Sequence, residues 1–374
     1  MHDDAAIVGA LDAEGAFPTP WIREAMLAVP RAAFAPDVIW HADPVSGRYT
    51  AVDRHTDPTT WEEVVVRPGP VVTQVDDGTS DTIGDLASSS LSDYRAVASF
   101  LTELDVRPGQ RILEIGTGPG WTAALLAWHL GGENVVSVEI DPTLAAAARA
   151  AHTRLGLSPT VLAGDGTLGA AHAGVFDRVH ATAAFTHRVP YAWIEQARPG
   201  AVIVAPWSPG FGAGALLRLV VDDDGRTASG KFVRSVAFME LRGERNGGGA
   251  AFEAVREAEP ATEEAEVGWV LESLYGDGNF THAVALRLPD VRLRTLGGGT
   301  VWQLWDTGRS WAVVDDRPGI GKAVQGGPRR LWDEVDAALQ WQDEHQVHGY
   351  DFGITVEPGR QWAWAQRPDR RWEM

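Results

Sequence analysis

The stretch RILEIGTGPGWTAALLA, residues Arg111 to Ala127, passes from an apolar, strand-like run through closely spaced glycines into a run typical of a helix. Gly116, Gly118 and Gly120 allow a turn that bulkier residues would block, so a ligand can approach the backbone closely. The N-terminal N–H groups of the following helix point back at such a ligand. The stretch therefore predicts a strand, a turn and a helix that bind a ligand together.

Two acids follow at the ends of later apolar runs. Glu139 ends the run VVSVE, about twenty residues after the glycine turn, where an acid in a doubly wound fold can accept hydrogen bonds from ribose hydroxyls. Asp165 lies in a Gly-Asp-Gly turn after the third strand-like run. Trp121 stands where a dinucleotide fingerprint has its last glycine, which disfavours a nicotinamide cofactor. These residues indicate a ribose-containing cofactor, although Glu139 can also be read as a solvated acid at a strand end.

The wider pattern fits an α/β protein. Strand-like runs alternate with helix-like segments from Ile112 to Val220, which is typical of a parallel sheet with crossover helices. The chain has 374 residues, so we expect two domains. Hydrophobic residues make up 44% of the chain, enough for a sizeable core and too many for a disordered protein.

The composition limits the partners. The formal net charge is −19 and the sequence shows no segregated basic face, so we expect no nucleic-acid partner. The absence of cysteine excludes disulfides and thiolate zinc sites. An acidic N-terminus and the lack of a long apolar run predict a cytoplasmic protein without a membrane partner.

A metal site is not expected. The histidines and aspartates of the N-terminal region, His41, Asp43, Asp53, His55 and Asp57, lack the periodic spacing of a preformed site.

Four motifs, LEIGTGPGW, VEIDP, GDG and FDRVHATAAF, resemble the S-adenosylmethionine-binding motifs of class I methyltransferases. More narrowly, their order resembles the protein-L-isoaspartate O-methyltransferase family. That family has an early Ala-Val-Pro-Arg followed by Phe and Pro, a Thr-Ile-Ser-Gln-Pro segment and a Thr-Ala-Ala-Ala-Pro turn. The corresponding segments here are AMLAVPRAAFAP (residues 25–36), SLSDY (90–94) and TAAFT (182–186). The resemblance spans roughly Trp21 to Leu241.

The resemblance implies a doubly wound, mainly parallel, seven-stranded Rossmann-like sheet, with S-adenosyl-L-methionine as the cofactor. An N-terminal extension of helices and loops would precede the sheet, and a smaller C-terminal α+β module would follow it. The residues expected to bind the cofactor are Glu114, Gly116, Thr117, Gly118, Gly120, Trp121, Glu139, Ile140, Asp165, Gly166 and Thr182. Those expected in catalysis are Ser92 and Asp93, and those expected to bind substrate are Ser89, Ser90, Tyr94, His187 and Arg188.

The implied chemistry suits a carboxylate acceptor. A carboxyl group with a pKa of about 4 is ionised at pH 7, so its methylation needs alignment and desolvation but no general base. By resemblance, the Ser92 hydroxyl orients one oxygen of the acceptor; the same serine can instead cap the helix predicted by SDYRAVASFLTEL. His180, His187 and Arg188 flank the turn after the fourth strand and either face the acceptor or are ordinary loop residues.

The sequence departs from the family where Asp93-Tyr94 replaces the usual Gln-Pro. Before it, VVTQVDDGTSDTIGDLASSS (residues 71–90), together with the added C-terminal module, resembles actinobacterial members found with lanthipeptide or ATP-grasp (graspetide) maturation systems. Those members methylate an aspartate side chain of a ribosomally synthesised, macrocyclised peptide, and the ester leads to an aspartimide that can open to isoaspartate. We favour a peptide carboxyl O-methyltransferase of this kind, acting as a monomer on a peptide or protein that carries Asp or isoAsp.

Three alternatives remain open from the sequence. The first is an isoaspartyl repair methyltransferase that acts on damaged proteins. The second is a small-molecule or nucleic-acid methyltransferase built on the same sheet, with nucleic acid disfavoured by the acidic balance. The third is a cofactor-binding protein without catalysis.

We divide the chain into an N-terminal substrate-binding extension (1–95), an S-adenosylmethionine-binding core (96–241), a linker or acidic helix (242–266) and a C-terminal accessory domain (267–374). In the last segment VALRL, WAVVD and DFGITVEP look like strands, and LWDEVDAALQWQDEH looks like an amphipathic helix. Trp302, Trp305 and Trp311 can form a core or a peptide-stacking surface, with the core favoured.

Overall fold

The computed structural model describes residues 4–44, 46–245, 252–276 and 281–374. The chain falls into two compact units. The first comprises Met1–Ala183, Ala192–Ala205 and Val220–Arg226, and the second comprises Ala184–Tyr191, Pro206–Leu219 and Thr227–Met374. Our division at residues 95, 241 and 266 stays a prediction.

The first unit contains seven described α-helices and ten strands, of which the last continues by two residues into the second unit. The helices are α1 (Asp4–Ala13), α2 (Pro20–Ala28), α3 (Pro58–Val65), α4 (Tyr94–Leu104), α5 (Trp121–Leu130), α6 (Pro142–Arg154) and α7 (Ala192–Glu195). The strands are β1 (Val38–Ala42), β2 (Tyr49–Asp53), β3 (Val71–Val75), β4 (Ile83–Gly84), β5 (Ala87–Leu91), β6 (Ile112–Ile115), β7 (Val135–Glu139), β8 (Thr160–Ala163), β9 (Phe176–Ala181) and β10 (Ala197–Trp207).

An antiparallel sheet in the order β4-β2-β1-β3-β5 forms the N-terminal part of this unit. In β3 the side chains of Val71, Thr73 and Val75 are buried and alternate with more exposed ones, the period of a half-buried strand. Our prediction of helices and loops is therefore wrong for much of residues 38–91. The strands are short and separated by turns rich in Asp, Gly and Ser, which conceal the alternation.

The second sheet of the first unit contains parallel strands in the order β10-β9-β6-β7-β8. β6 and β7 are buried along their whole length, as expected for strands covered on both faces. Ile115 pairs with both Val138 and Ala181, so β6, β7 and β9 end at one edge. The predicted parallel pattern is confirmed for these strands, and the expected count of seven strands stays a prediction.

The helix starts after β6 and β7 follow from local sequence. Gly120, with a φ of 99°, is the residue before α5. Asp141 caps α6, because its side chain accepts hydrogen bonds from the N–H groups of Thr143 and Leu144. Pro142 occupies the first turn of α6, where its missing N–H costs nothing.

The second unit holds the remaining described helices and strands, except for the last two residues of β11, which belong to the first unit. They are β11 (Ala215–Val221), β12 (Ala228–Ser235), α8 (Phe252–Ala258), β13 (Ala261–Glu266), α9 (Leu271–Gly276), α10 (Thr281–Arg287), β14 (Arg292–Leu296), β15 (Val301–Trp305), β16 (Trp311–Asp315), β17 (Lys322–Gly326), α11 (Leu331–Glu344), β18 (Phe352–Glu357), β19 (Arg360–Ala365) and β20 (Arg367–Glu373). Five strands of this unit lie side by side in the order β11-β12-β18-β19-β20. The other five form an antiparallel sheet in the order β13-β17-β16-β15-β14.

Most, but not all, of the C-terminal predictions agree with these elements. WAVVD is β16, DFGITVEP contains β18 and the amphipathic helix is α11. Trp302 and Trp311 are buried, and Trp305 packs against the cluster of Phe252, Val255 and Trp311, so the core assignment is confirmed.

Two segments were assigned wrongly. VALRL lies largely in α10, because its buried run continues from Thr281 rather than alternating. The acidic run ATEEAE, which we placed in the linker, is strand β13 and pairs with β17, where Glu264 meets Lys322. Residues 246–251 of that linker lie outside the described part of the chain.

No helix in the described residues has the length and apolar character needed to cross a membrane.

Candidate active site

The glycine turn after β6 depends on the absence of side chains. Gly116, Gly118 and Gly120 have φ values of 90°, 51° and 99°, a region that favours glycine. A Cβ atom on Gly116 would lie 2.7 Å from Oγ1 of Thr182, and one on Gly120 would lie 2.8 Å from Nε2 of His152. The turn therefore keeps its backbone close to both β9 and α6.

Glu139 lies directly beside this turn. One oxygen of its carboxylate accepts a hydrogen bond from the Gly118 N–H at 2.7 Å, and the other accepts from the Asp141 N–H at 3.0 Å. Each oxygen retains capacity for a further hydrogen bond. The next residue, Ile140, is 40% exposed although it is a large apolar side chain. The end of β7 thus combines a fixed carboxylate with an uncovered apolar surface.

The turn after β8 lies at the same edge. A Cβ atom on Gly166 would meet the Ile115 side chain at 2.5 Å, and Ile115 ends β6. The carbonyl of Gly166 accepts a hydrogen bond from Nε1 of Trp193 at 2.8 Å. The exposed Asp165 accepts hydrogen bonds from the backbone and hydroxyl of Thr167 through one oxygen.

The side chains of two threonines, Thr182 and Thr117, make hydrogen bonds at the glycine turn. The Thr182 hydroxyl donates to the carbonyl of Ile115 at 3.0 Å and also contacts the carbonyl of Gly116. The buried Thr117 hydroxyl lies 2.5 Å from that of Ser137. Because Thr117 uses its side chain in the interior, only its backbone is available at the turn.

Strand β5 brings the predicted acceptor segment to the glycine turn. The Oγ of Ser89 lies 3.5 Å, and the carbonyl of Ser90 lies 3.7 Å, from the position that a Cβ atom on Gly118 would take. Ser89 is buried and accepts a hydrogen bond from the Thr73 hydroxyl at 3.2 Å. The sites predicted for cofactor and acceptor therefore adjoin at Gly118.

Comparisons with known proteins agree with this arrangement. The family profile of protein-L-isoaspartate(D-aspartate) O-methyltransferase matches residues 79–246. A protein-L-isoaspartate O-methyltransferase of Pyrococcus horikoshii is 33% identical over 159 residues, which cover 42% of this chain and 71% of that protein. The chain belongs to the protein-L-isoaspartate O-methyltransferase family.

Other relatives extend the match. A protein-L-isoaspartate O-methyltransferase of Ignicoccus hospitalis is 29% identical over 237 residues, covering 63% of this chain and 95% of that protein. The match to one from Anaeromyxobacter dehalogenans is 50% identical but spans only 53% of that protein. A solved protein-L-isoaspartate O-methyltransferase aligns with 97% of this chain at 18% identity and a TM-score of 0.55, which shows a shared fold.

The chain is accordingly an S-adenosyl-L-methionine-dependent methyltransferase, and the residues at the sheet edge fit that cofactor. The backbone of the glycine turn is uncovered, because side chains at Gly116 and Gly120 would clash with neighbouring residues. Each carboxylate oxygen of Glu139 is held by one backbone N–H and can accept a further hydrogen bond from a ligand. The exposed Ile140 offers an apolar surface next to that carboxylate. The individual cofactor roles of the residues at this edge stay predictions, namely those of Gly116, Thr117, Gly118, Gly120, Glu139, Ile140, Asp165, Gly166 and Thr182.

Glu114 does not line this edge, contrary to our prediction. Its side chain is fully buried and accepts a hydrogen bond from the Ser137 hydroxyl at 2.5 Å. Burial raises the pKa of Glu114 to about 8, which leaves its carboxyl largely protonated at pH 7. The apolar run around Glu114 was the sequence signal for burial, and the adjoining glycine motif outweighed it.

His180 is also buried rather than facing an acceptor. It is 1% exposed, and its Nδ1 atom lies 3.9 Å from a carboxyl oxygen of Glu114. Burial lowers the pKa of His180 to about 4. Both groups are therefore neutral at pH 7 and do not form an ion pair in the core.

Trp121 and Tyr94 pack against each other instead of contacting ligands. Trp121 is 2% exposed, and its Nε1 donates to the carbonyl of Val29 at 3.0 Å. The ring of Tyr94 is fully buried, 5.0 Å from that of Trp121 in an edge-to-face arrangement. Direct contacts of the Trp121 side chain with cofactor and of Tyr94 with substrate are therefore wrong; both residues position neighbouring elements.

Arg31 is an organising residue that the sequence did not reveal. Its buried guanidinium lies 4.3 Å from the centre of the Tyr94 ring. It donates to four backbone carbonyls, those of Val65, Arg67, Gly69 and Ser92. The Ala-Val-Pro-Arg motif contained the residue, but acceptors 34 to 61 residues away cannot be identified from a motif.

Asp93, not Ser92, caps α4. The Asp93 side chain accepts hydrogen bonds from the N–H groups of Arg95 and Ala96 at 2.7 and 3.0 Å. Ser92 contributes its carbonyl to Arg31 at 3.0 Å and is half-buried. The capping alternative for Ser92 is wrong, and the catalytic roles of Ser92 and Asp93 stay predictions.

His187 and Arg188 are exposed and belong to the second unit. The carbonyl of His187 accepts a hydrogen bond from the side chain of Gln361 at 2.9 Å, and the same side chain accepts from the Val189 N–H. The segment is thereby fixed to β19. Substrate binding by His187 and Arg188 stays a prediction.

Proposed function

We propose that this methyltransferase transfers a methyl group to the side-chain carboxylate of an aspartate in a ribosomally synthesised, macrocyclised peptide. The next backbone nitrogen then attacks the methyl ester, methanol leaves and an aspartimide forms. Addition of water to the aspartimide opens it to isoaspartate or aspartate. Family membership supports carboxyl methylation as the reaction class.

The observation that carries the proposal is the set of side chains around the glycine turn. Strand β5 contributes the serine Ser89 beside Gly118. The nearby His152 uses Nε2 to contact the Gly120 carbonyl at 2.8 Å, and His180 is neutral in the core. A carboxylate acceptor is ionised without a base, whereas an alcohol or ammonium acceptor would have to lose a proton. This part of the site therefore suits a carboxylate.

The chain's residues act by binding and alignment. S-adenosyl-L-methionine supplies an electrophilic methyl group and a neutral thioether leaving group. Glu139 and the glycine turn hold the donor side, and the Ser92 hydroxyl donates to one acceptor oxygen so that the other is the nucleophile. Arg31 fixes the backbone at Ser92 through its carbonyl. Alignment of this kind can lower the barrier by several kcal/mol, about 7 in favourable cases.

The positions that depart from the family favour an aspartyl over an isoaspartyl acceptor. The Asp93 side chain is engaged in capping α4, and Tyr94 is buried between Arg31 and Trp121. Neither side chain is available to bind the main chain of an isoaspartyl substrate in the way expected of the family's Gln-Pro segment. Repair of isoaspartyl proteins remains the second candidate, which the names of the relatives favour.

A methyl-transfer assay with labelled cofactor separates these candidates. The acceptors are a macrocyclised, aspartate-containing precursor peptide of the proposed class, its linear form and a synthetic isoaspartyl peptide. We expect base-labile label on the cyclised peptide alone. Label on the isoaspartyl peptide alone would support repair, and label on none of the three would contradict both carboxyl-methylation proposals.

The role of Ser92 is tested in the same assay. We expect Ser92→Ala to lower kcat at least about tenfold, equivalent to about 1.4 kcal/mol of activation free energy, with cofactor affinity unchanged. Ser99→Ala, which removes a nearby hydroxyl in sequence, on α4, is the matched control. Equal rates for both variants would assign Ser92 a backbone role only.

A further inference from the structure

Among the described strands, β20 is the edge strand of its sheet, where its neighbour is β19. Its sequence, RPDRRWE, is rich in arginine although the whole chain has a formal net charge of −19. A strand at an edge leaves N–H and carbonyl groups that another extended chain can pair with. Pro368 removes one donor and the charges discourage self-association, so an edge of this kind is suited to a selected partner.

Arginines and tryptophans are stacked on both faces of this edge. On one face the Arg371 guanidinium lies 4.7 Å from the centre of the Trp362 ring. On the other face Arg370 lies 5.2 Å, and Arg287 lies 4.0 Å, from the ring of Trp341. Stacking on aromatic rings holds each guanidinium in place without neutralising its charge.

Three of these cations have no acidic partner in the described part of the chain. Arg360 pairs with Glu357, and Arg367 pairs with Asp369. By contrast, no described carboxylate lies within ion-pair distance of the remaining set, which is Arg287, Arg370 and Arg371.

Two of these cations, Arg287 and Arg370, lie close together because both stack on the ring of Trp341. Desolvation lowers the pKa of Arg287, and the charge of Arg370 lowers it further. An anion bound between them would relieve this repulsion and would gain charge-assisted hydrogen bonds. The edge thus presents fixed positive charge with its counter-charge missing from the described residues.

We propose that β20 and its arginines form a docking site for an acidic, extended segment of the peptide substrate, which adds a strand to the sheet. This inference rests on the proposed function, because it assigns the second unit a part in holding the same peptide. Main-chain pairing along an edge requires a polypeptide. The net charge of the chain would repel a nucleic acid. Its bases could not stack on the tryptophan rings of this edge, because guanidinium groups already cover them.

The geometry also specifies the acidic pattern. Successive side chains of an extended chain point to opposite faces of a sheet. Arg371 and Arg370 lie on opposite faces of β20, as their stacking partners Trp362 and Trp341 show. Two acids at adjacent positions of the docked segment can therefore each reach one arginine, whereas acids separated by one residue would both lie on the same face.

Binding is tested with the full chain and a fluorescent peptide that carries adjacent aspartates in an otherwise neutral, strand-forming sequence. We expect the double variant Arg370→Gln/Arg371→Gln to weaken binding at least tenfold, and we expect binding to weaken as salt is raised. The control Arg107→Gln/Arg154→Gln removes the same charge from the first unit and should bind as the unmodified chain does.

Two further peptides distinguish strand addition from charge attraction. A peptide with asparagine in place of aspartate should not bind, and a peptide with an N-methylated backbone should bind at least tenfold more weakly. Equal binding to the chain and the Arg370→Gln/Arg371→Gln variant, with thermal melting of both intact, would overturn the proposal. Tight binding of the N-methylated peptide would overturn strand addition.

The binding assay requires no methyl transfer, so it separates the two proposals. Docking of the acidic peptide without methylation of any acceptor would contradict the proposed function alone. Methylation of the cyclised peptide with unchanged KM in the Arg370→Gln/Arg371→Gln variant would contradict docking alone.

Discussion

At the scale of single residues, the glutamates of the neighbouring strands β6 and β7, Glu114 and Glu139, have contrasting environments. Glu139 is held by two backbone N–H groups next to the glycine turn, where it keeps acceptor capacity. Glu114 lies in the core beside Ser137 and is largely protonated at pH 7. The Glu139 carboxylate is therefore positioned where it can bind a ligand, whereas the Glu114 carboxyl makes its hydrogen bond inside the sheet.

Replacement of Glu139 tests the cofactor edge. We expect Glu139→Gln to weaken the binding of S-adenosylhomocysteine about tenfold or more, since it loses charge and turns an amide N–H₂ toward a backbone donor. Titration calorimetry measures the dissociation constant, and Glu195→Gln, an exposed change on α7, is the control. Unchanged affinity in the Glu139 variant would remove Glu139 from the cofactor site.

The raised pKa of Glu114 makes a prediction about stability. The carboxyl has a pKa of about 8 in the folded chain against 4.5 as its ordinary value, so unfolding releases a proton between these values and stability falls as pH rises. His180, with its pKa lowered from 6.5 to about 4, contributes the opposite slope below pH 6.5. Burial also lowers the pKa values of His129 and His152, so we use the window from pH 6.5 to 8, where the slope from these histidines fades, and isolate Glu114 by comparison with a variant.

Denaturant unfolding in that window supplies the measurement. We expect the unmodified chain to lose up to about 1.4 kcal/mol of unfolding free energy per pH unit through this group. The Glu114→Gln variant should lack this component, because its amide cannot titrate but can still accept from Ser137. Parallel pH profiles for the two proteins would show that Glu114 does not hold its proton in the fold.

At the scale of elements, α4 and the segment before it are fixed from two sides. Asp93 caps the helix, and Arg31 joins the carbonyl of Ser92 to those of residues 65–69. Tyr94 and Trp121 pack beneath this junction. The segment predicted to bind the acceptor is thus fixed by hydrogen bonds and packing where β5 meets α4, which suits a reaction that depends on alignment.

Two substitutions at Asp93 separate capping from chemistry. We expect Asp93→Ala to lower the unfolding free energy by about 1 kcal/mol, whereas Asp93→Asn, which keeps a capping oxygen, should be near neutral. If capping is the residue's role, methyl transfer by Asp93→Asn should match that of the unmodified chain. A large loss of kcat in Asp93→Asn at unchanged stability would assign Asp93 to the chemistry.

The sequence predicted those elements whose signals are local. The run from Ile112 to Ile115, the three glycines and the acid at Glu139 lie in short motifs whose physical purpose is visible without the fold. The N-terminal sheet was missed because its short strands gain their burial from partners across β1, β3 and β5.

Errors at the candidate site have a common cause. Glu114, Trp121 and Tyr94 lie in or beside functional motifs, and only tertiary packing shows that their side chains are buried. Arg31 was missed for the converse reason, since its acceptors are backbone carbonyls distant in sequence. A motif locates a turn, but it does not give the direction in which each of its side chains points.

At the scale of the whole molecule, the chain consists of two compact units, and the segment that matches the family profile contributes residues to both. The family profile covers residues 79–246, and the buried tryptophans Trp302 and Trp311 lie in the second unit. The chain is strongly acidic, yet Arg287, Arg370 and Arg371 have no carboxylate within ion-pair distance among the described residues. These three arginines are the charges with which the proposed docking site would hold a peptide that bears carboxylates.

The most direct test of the central claim is mass spectrometry of the macrocyclised precursor peptide after incubation with the chain and S-adenosyl-L-methionine. We predict that one aspartate gains the mass of one CH2 group, as a methyl replaces the carboxyl proton, and that this ester then loses methanol to give the aspartimide. Methylation on nitrogen or on a hydroxyl, stable to base and without loss of methanol, would contradict carboxyl methylation.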